Sequence, residues 1–177
     1  MLPMPASRYA LAMALMLQAG PGCVEWRPPL PGSAATGRLV DVVAPDLRGE
    51  VVRIADRAGQ VRIVDFWATW CEPCLEQFPV LELLARAHQA EGLAVYAVAM
   101  DEDQAQVSAF LESTPLPFTM LWDKGGARHA ERFGIERLPT TLLVDRAGRI
   151  RFVHEGYRPQ DAERLDQEVR QLLTEPP

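Results

Sequence analysis

A chain of 177 residues, 48% hydrophobic and 24% charged, can bury one substantial core but is too short for two ordinary domains and a linker. Its 24 Asp and Glu outnumber 18 Lys and Arg, for a formal charge of -6. That balance argues against nucleic acid or another polyanion as partner, since such surfaces need clustered basic residues.

The chain opens with Arg8, the uninterrupted apolar run Tyr9 to Leu17, and then small residues and prolines. This is the order of an export signal, expected over residues 1–22. The apolar run falls short of the roughly 20 residues that span a bilayer, and Pro3, Pro5 and Gly20-Pro21-Gly22 suit a buried N-terminal helix poorly. Cys23 follows directly, where a bacterial lipoprotein carries its lipidated cysteine, although Gly20 stands where that signal has a Leu-like residue. Cys23 is therefore a lipidation candidate and a possible membrane tether. The other course is ordinary cleavage near Gly22 or after Ala35, which releases a soluble protein. Residues 23–37 are dense in Pro and Gly without a hydrophobic period, as a tether is. The folded domain is expected over 38–175.

Leu39 to Val43 and Val51 to Ile54 flank Asp46-Leu47-Arg48-Gly49 and predict a β-hairpin. Val61 to Trp67 is β-branched and aromatic, a buried strand. A helix is predicted from the Cys71 region to about Ala90, with Leu75, Phe78, Leu81, Leu84 and Ala85 on one face and a kink at Pro79. Leu93 to Met100 reads as a central strand. Next come a helix at Gln104 to Ser113, a strand at Phe118 to Leu121 and a helix at Ala127 to Phe133. Thr140 to Asp145 and Arg149 to His154 form a second hairpin, and Pro159 to Leu173 a closing amphipathic helix. The fold class is α/β, a mixed sheet with helices on both faces.

Cys71-Glu72-Pro73-Cys74 lies where a strand gives way to a helix. First-turn amides and the helix dipole stabilise a thiolate at Cys71, and Cys74, three residues on, is within disulfide reach. Pro73 is tolerated because first-turn amides have no intrahelical partner. A zinc site needs four ligands, whereas only Cys23 and three scattered histidines (His88, His129, His154) remain, so no metal is expected. A purely structural disulfide closing so short a loop removes little chain entropy. Reversible oxidation fits best.

The ordered set FWATWCEPC, Leu138-Pro139-Thr140-Thr141-Leu142 and Asp145-Arg146-Ala147-Gly148-Arg149-Ile150 resembles the TlpA/ResA-like thioredoxin family over roughly residues 44–173, including the helix and strand inserted between Met100 and Ala127. The resemblance implies a thioredoxin fold and dithiol-disulfide chemistry outside the cytoplasm, with no cofactor beyond the Cys71-Cys74 pair. It also implies a reducing role toward cysteines of apocytochrome c or of copper-site assembly proteins. The implied partners are protein substrates and a membrane thiol transporter of the CcdA or DsbD kind as electron donor. Pro139 corresponds to the family's cis-proline facing the disulfide, with Leu138 offering backbone groups to an extended substrate. Trp70, Glu72 and Pro73 would flank that substrate, while Trp67 is a core aromatic.

Glu72 beside Cys71 and Glu76 one turn on oppose the helix dipole, which keeps the thiol nearer its ordinary pKa and favours a reductant. The family's usual Glu three residues after the second cysteine is Gln77 here, and Asp65 stands where the family often has Asn. Asp65, expected to be buried beneath the cysteines, is therefore the candidate general base for Cys74. The competing class is a binding module: a metallochaperone or cysteine-binding chaperone without turnover.

Overall fold

The computed structural model describes residues 35–176. Its elements are β1 (Val43–Pro45), β2 (Val51–Arg53), β3 (Val61–Trp67), α1 (Glu72–His88), β4 (Leu93–Ala99), α2 (Gln104–Ser113), β5 (Thr119–Trp122), α3 (Ala130–Phe133), β6 (Thr140–Val144), β7 (Ile150–Glu155) and α4 (Ala162–Thr174). The five-stranded sheet runs β5-β4-β3-β6-β7, with β1 and β2 forming a separate antiparallel hairpin. β4 pairs parallel with β3 and β5, while β6 pairs antiparallel with β3 and β7. This is the thioredoxin arrangement with the expected hairpin and helix-strand insertion.

All seven residues of β3 are buried because the strand is central and covered on both faces. Its period of two divides the core. Ile63 and Trp67 face α1, α2 and α4 through Phe78, Leu81, Val107, Leu165 and Val169. Val64 and Phe66 face Val40, Val42, Ile54 and Phe133. Helices thus cover the two faces unequally: three pack on the first, while the N-terminal segment and the short α3 cover the second.

Several boundaries differ from the sequence expectation. The first hairpin pairs Val43–Pro45 with Val51–Arg53, so Leu39 lies outside it and instead bridges Arg149 beside β7. Ile54 begins a single 3-10 turn rather than extending the strand. α3 is three residues shorter than predicted, since Ala127 to His129 form turns after the positive-φ pair Gly125-Gly126. α1 continues through Pro79 as one helix. Ala35, the first described residue, is already buried, and Gly37 donates its N–H to Ile150 O at 2.7 Å. The export signal and Cys23 lie outside the described residues.

A largely polar row crosses the sheet beneath α1. Asp65 on β3 is the register partner of Ala97 on β4 and of Thr141 on β6, and Thr141 is the partner of His154 on β7. Register partners share a face, here the one covered by α1 and α4.

Candidate active site

The connection from β3 to α1 is held from below. Asp101, just past β4 and buried, accepts the Thr69 N–H at 3.2 Å and the Thr69 Oγ1–H at 2.5 Å. Cys71 donates its N–H to Ala68 O at 3.0 Å, closing the turn that delivers Cys71 to the N-cap of α1. Glu72 and Pro73 follow as the first helical residues, where the missing Pro amide leaves no intrahelical bond unmade. Cys71 and Cys74 are joined as a disulfide with Cα atoms 5.3 Å apart. The helix start therefore presents both sulfurs at the positive end of the macrodipole, where a thiolate released on reduction is stabilised.

The two cysteines are less different in exposure than expected: Cys71 is only 5% exposed and Cys74 is 0%. The asymmetry survives in what they line. Cys71 forms part of a groove of about 530 Å³ with Trp70, Glu72, Pro73, Ile135 and Leu138, among others, whereas Cys74 does not reach it. Trp70 is 70% exposed, and Trp67, fully buried, stacks edge-on against Phe78. The Leu138-Pro139 peptide is cis. Among the described residues, the Leu138 N–H and C=O make no hydrogen bond. Pro139 O is already taken by the Gly156 N–H at 2.7 Å.

Behind the cysteines lies a buried polar chain. Gln77, one turn after Cys74 on α1, donates from Nε2 to Thr141 Oγ1 at 2.9 Å, and Thr141 donates to Asp65 Oδ1 at 2.7 Å. Asp65 is completely buried, which pushes its carboxyl up to about 7, with the Thr141 hydrogen bond opposing that rise. The three histidines take structural roles. His129 sits buried beside Asp123, holding its carboxyl below the usual range, and receives the Val43 N–H. His88 meets Glu91, and His154 meets Glu168. Among the described residues no group of three or more His, Cys, Asp or Glu is placed to hold a metal ion.

The Redoxin family matches residues 33–170. The chain belongs to the Redoxin family. This Redoxin-family chain is 33% identical to the thiol-disulfide oxidoreductase ResA of Halalkalibacterium halodurans over 119 residues, 67% of each chain. It is 36% identical to the thioredoxin-like protein YneN of Bacillus subtilis over 121 residues, 64% of this chain and 69% of that one. Among solved structures, a thiol:disulfide interchange protein DsbE from Chlorobium tepidum superposes with a TM-score of 0.73 at 33% identity, covering 78% of this chain and 97% of that one. The TlpA/ResA-like thioredoxin reading holds, and the protein is a thiol-disulfide oxidoreductase of the ResA/DsbE type.

Within this Redoxin fold, the sequence reading did not anticipate Thr141, Asp101, Thr69 or the groove residues Ile135, Glu136 and Arg137. Thr141 carried one usable signal: with β6 laid antiparallel on β3, Asp65 needs a partner on the neighbouring strand. Asp101 and Thr69 stand 32 residues apart, and nothing in their local sequence joins them.

Proposed function

We propose that this protein reduces protein disulfides outside the cytoplasm, in the manner of cytochrome c maturation or copper-site assembly, and is recharged by a membrane thiol transporter. The observation that carries the reading is the Cys71-Cys74 disulfide at a helix N-terminus, opening onto a groove whose far wall is Leu138 beside a cis-proline. The unused Leu138 amide and carbonyl suit an extended substrate segment added as a short strand. Trp70 shields one side of that segment, while Glu72 and Pro73 line the groove next to the sulfur. Glu72 and Glu76, both exposed on the first turns of α1, weaken the dipole's pull on the thiolate and set the pair toward a reductant.

In the reaction the Cys71 thiolate attacks one sulfur of a substrate disulfide, forming a mixed disulfide and expelling the other sulfur as a thiolate. Asp65 accepts the Cys74 proton. The Cys74 thiolate attacks the Cys71 sulfur, breaks the mixed disulfide and releases the second substrate thiolate. Two electrons have passed to the substrate, and Cys71-Cys74 is again oxidised. A dithiol of the membrane transporter reverses these exchanges to restore the reduced pair. Upstream, residues 1–22 direct export and Cys23 begins a tether, by lipidation or as a processed terminus.

Insulin reduction with a dithiol donor tests turnover, and cysteine variants test the roles. Cys74→Ser is expected to accumulate mixed disulfides, whereas Cys71→Ser does not. Faster alkylation of Cys74 than of Cys71 in the reduced protein overturns this order.

A further inference from the structure

The chain of hydrogen bonds behind the cysteines has a direction. An ionised carboxylate only accepts, so while Asp65 is charged the single Thr141 hydroxyl hydrogen must point to Oδ1. The Thr141 oxygen is then left to accept, and only the NH2 end of Gln77 can donate to it. The outer atoms of the chain, Asp65 Oδ2 and Gln77 Oε1, are buried without a protein hydrogen-bond partner. Gln77 also lines a cavity of about 10 Å³ with His154, Gly156, Tyr157, Asp161 and Leu165. That is close to the space one water occupies. His154, Gly156, Tyr157 and Asp161 also line an open polar groove of about 420 Å³ at the surface. A single water in that cavity would supply a donor for Oε1 and so favour the amide with its NH2 toward Thr141.

We propose that Gln77 and Thr141 are positioning residues that act as a one-directional relay, committing Asp65 Oδ1 to Thr141 and leaving Oδ2 as the atom that exchanges a proton with Cys74. This rests on Asp65 being the proton acceptor of the resolving cysteine. The register neighbours of Asp65 are uncharged, Ala97 from β4 and Thr141 from β6, and Gln77 of α1 is joined to it through Thr141. Two titratable groups on that face, His154 of β7 and Glu168 of α4, pair with each other, with His154 one strand beyond Thr141. Burial pushes the Asp65 carboxyl up, and the Thr141 hydrogen bond is what opposes that rise.

The test is a carboxyl-carbon NMR titration of Asp65 in the oxidised full chain, where neither cysteine ionises, together with the pH profile of mixed-disulfide resolution. Thr141→Val keeps the shape and removes the donor, so the Asp65 titration moves upward by about one pH unit, and the resolution profile follows it. Thr141→Ser restores both. Gln77→Met, which deletes only the far end of the relay, moves the titration in the same direction by less. An Asp65 titration that stays put or moves downward in both Thr141→Val and Gln77→Met overturns the relay. Failure of the underlying assignment looks different: the resolution profile would then be indifferent to Asp65→Asn, while the NMR titration still reports the relay.

Discussion

Asp65 ionises near pH 7 in the fold, against an ordinary value of 3.8, and that difference links chemistry to stability. Between those two values the folded chain holds a proton that the unfolded chain has released, so the stability this group contributes is greatest below pH 3.8 and declines as pH rises toward 7. The decline approaches about 4 kcal/mol, at roughly 1.36 kcal/mol per unit. Asp65→Asn is therefore expected to raise the urea midpoint at about pH 8 and to change it little at about pH 4. A gain of equal size at both pH values contradicts the assignment. The Cys71-Cys74 disulfide and the burial of Asp65 were legible from the spacing of the cysteines and the apolar strand around Asp65, and the cis Leu138-Pro139 bond from the family resemblance. Thr141 was not, since a threonine in a strand is ordinary β-propensity until the register sets it opposite Asp65. The near-burial of Cys71 also escaped the sequence, because it depends on tertiary neighbours such as Ile135 and Leu138, which line the groove beside it and lie more than 60 positions away in the chain.

The elements most legible in the sequence were β3, β4 and α2, where long apolar runs or helical spacing exceed what a loop would carry. The first hairpin was misplaced because Val40, Val42 and Ala44 alternate into the core as a strand would. The ladder to β2 runs from Val43 opposite Arg53 to Pro45 opposite Val51, with the Ile54 N–H bonding Val42 O at one end and the Asp46 N–H bonding Glu50 O at the other. Between elements, the Asp101–Thr69 contact fixes the entry to α1 and so the placement of Cys71. Asp101→Ala leaves two half-buried donors of Thr69 unpaired and is expected to cost about 1–3 kcal/mol in denaturant unfolding. Asp101→Asn, which keeps an acceptor, should recover much of that loss, and equal losses in both variants would contradict the clamp.

For the molecule as a whole, the sequence was sufficient to place the strands and helices in their order along the chain. The proposed export adds an expectation about the chain in its native setting. Intact-mass analysis of the mature protein should show either a diacylglyceryl increment on Cys23 or a terminus near Gly22 or Ala35, and an intact Met1 terminus contradicts export. The path of residues 37–46 bears on how the protein meets its substrates. This segment engages both margins of the sheet: Leu39 bridges Arg149 and Gly37 bonds Ile150 beside β7, while Asp46 bridges Leu121 on β5. Open sheet margins recruit foreign strands and seed aggregates. With Leu121 at one margin and Arg149 and Ile150 at the other engaged by its own N-terminal segment, the fold leaves less open margin on which a foreign strand could pair.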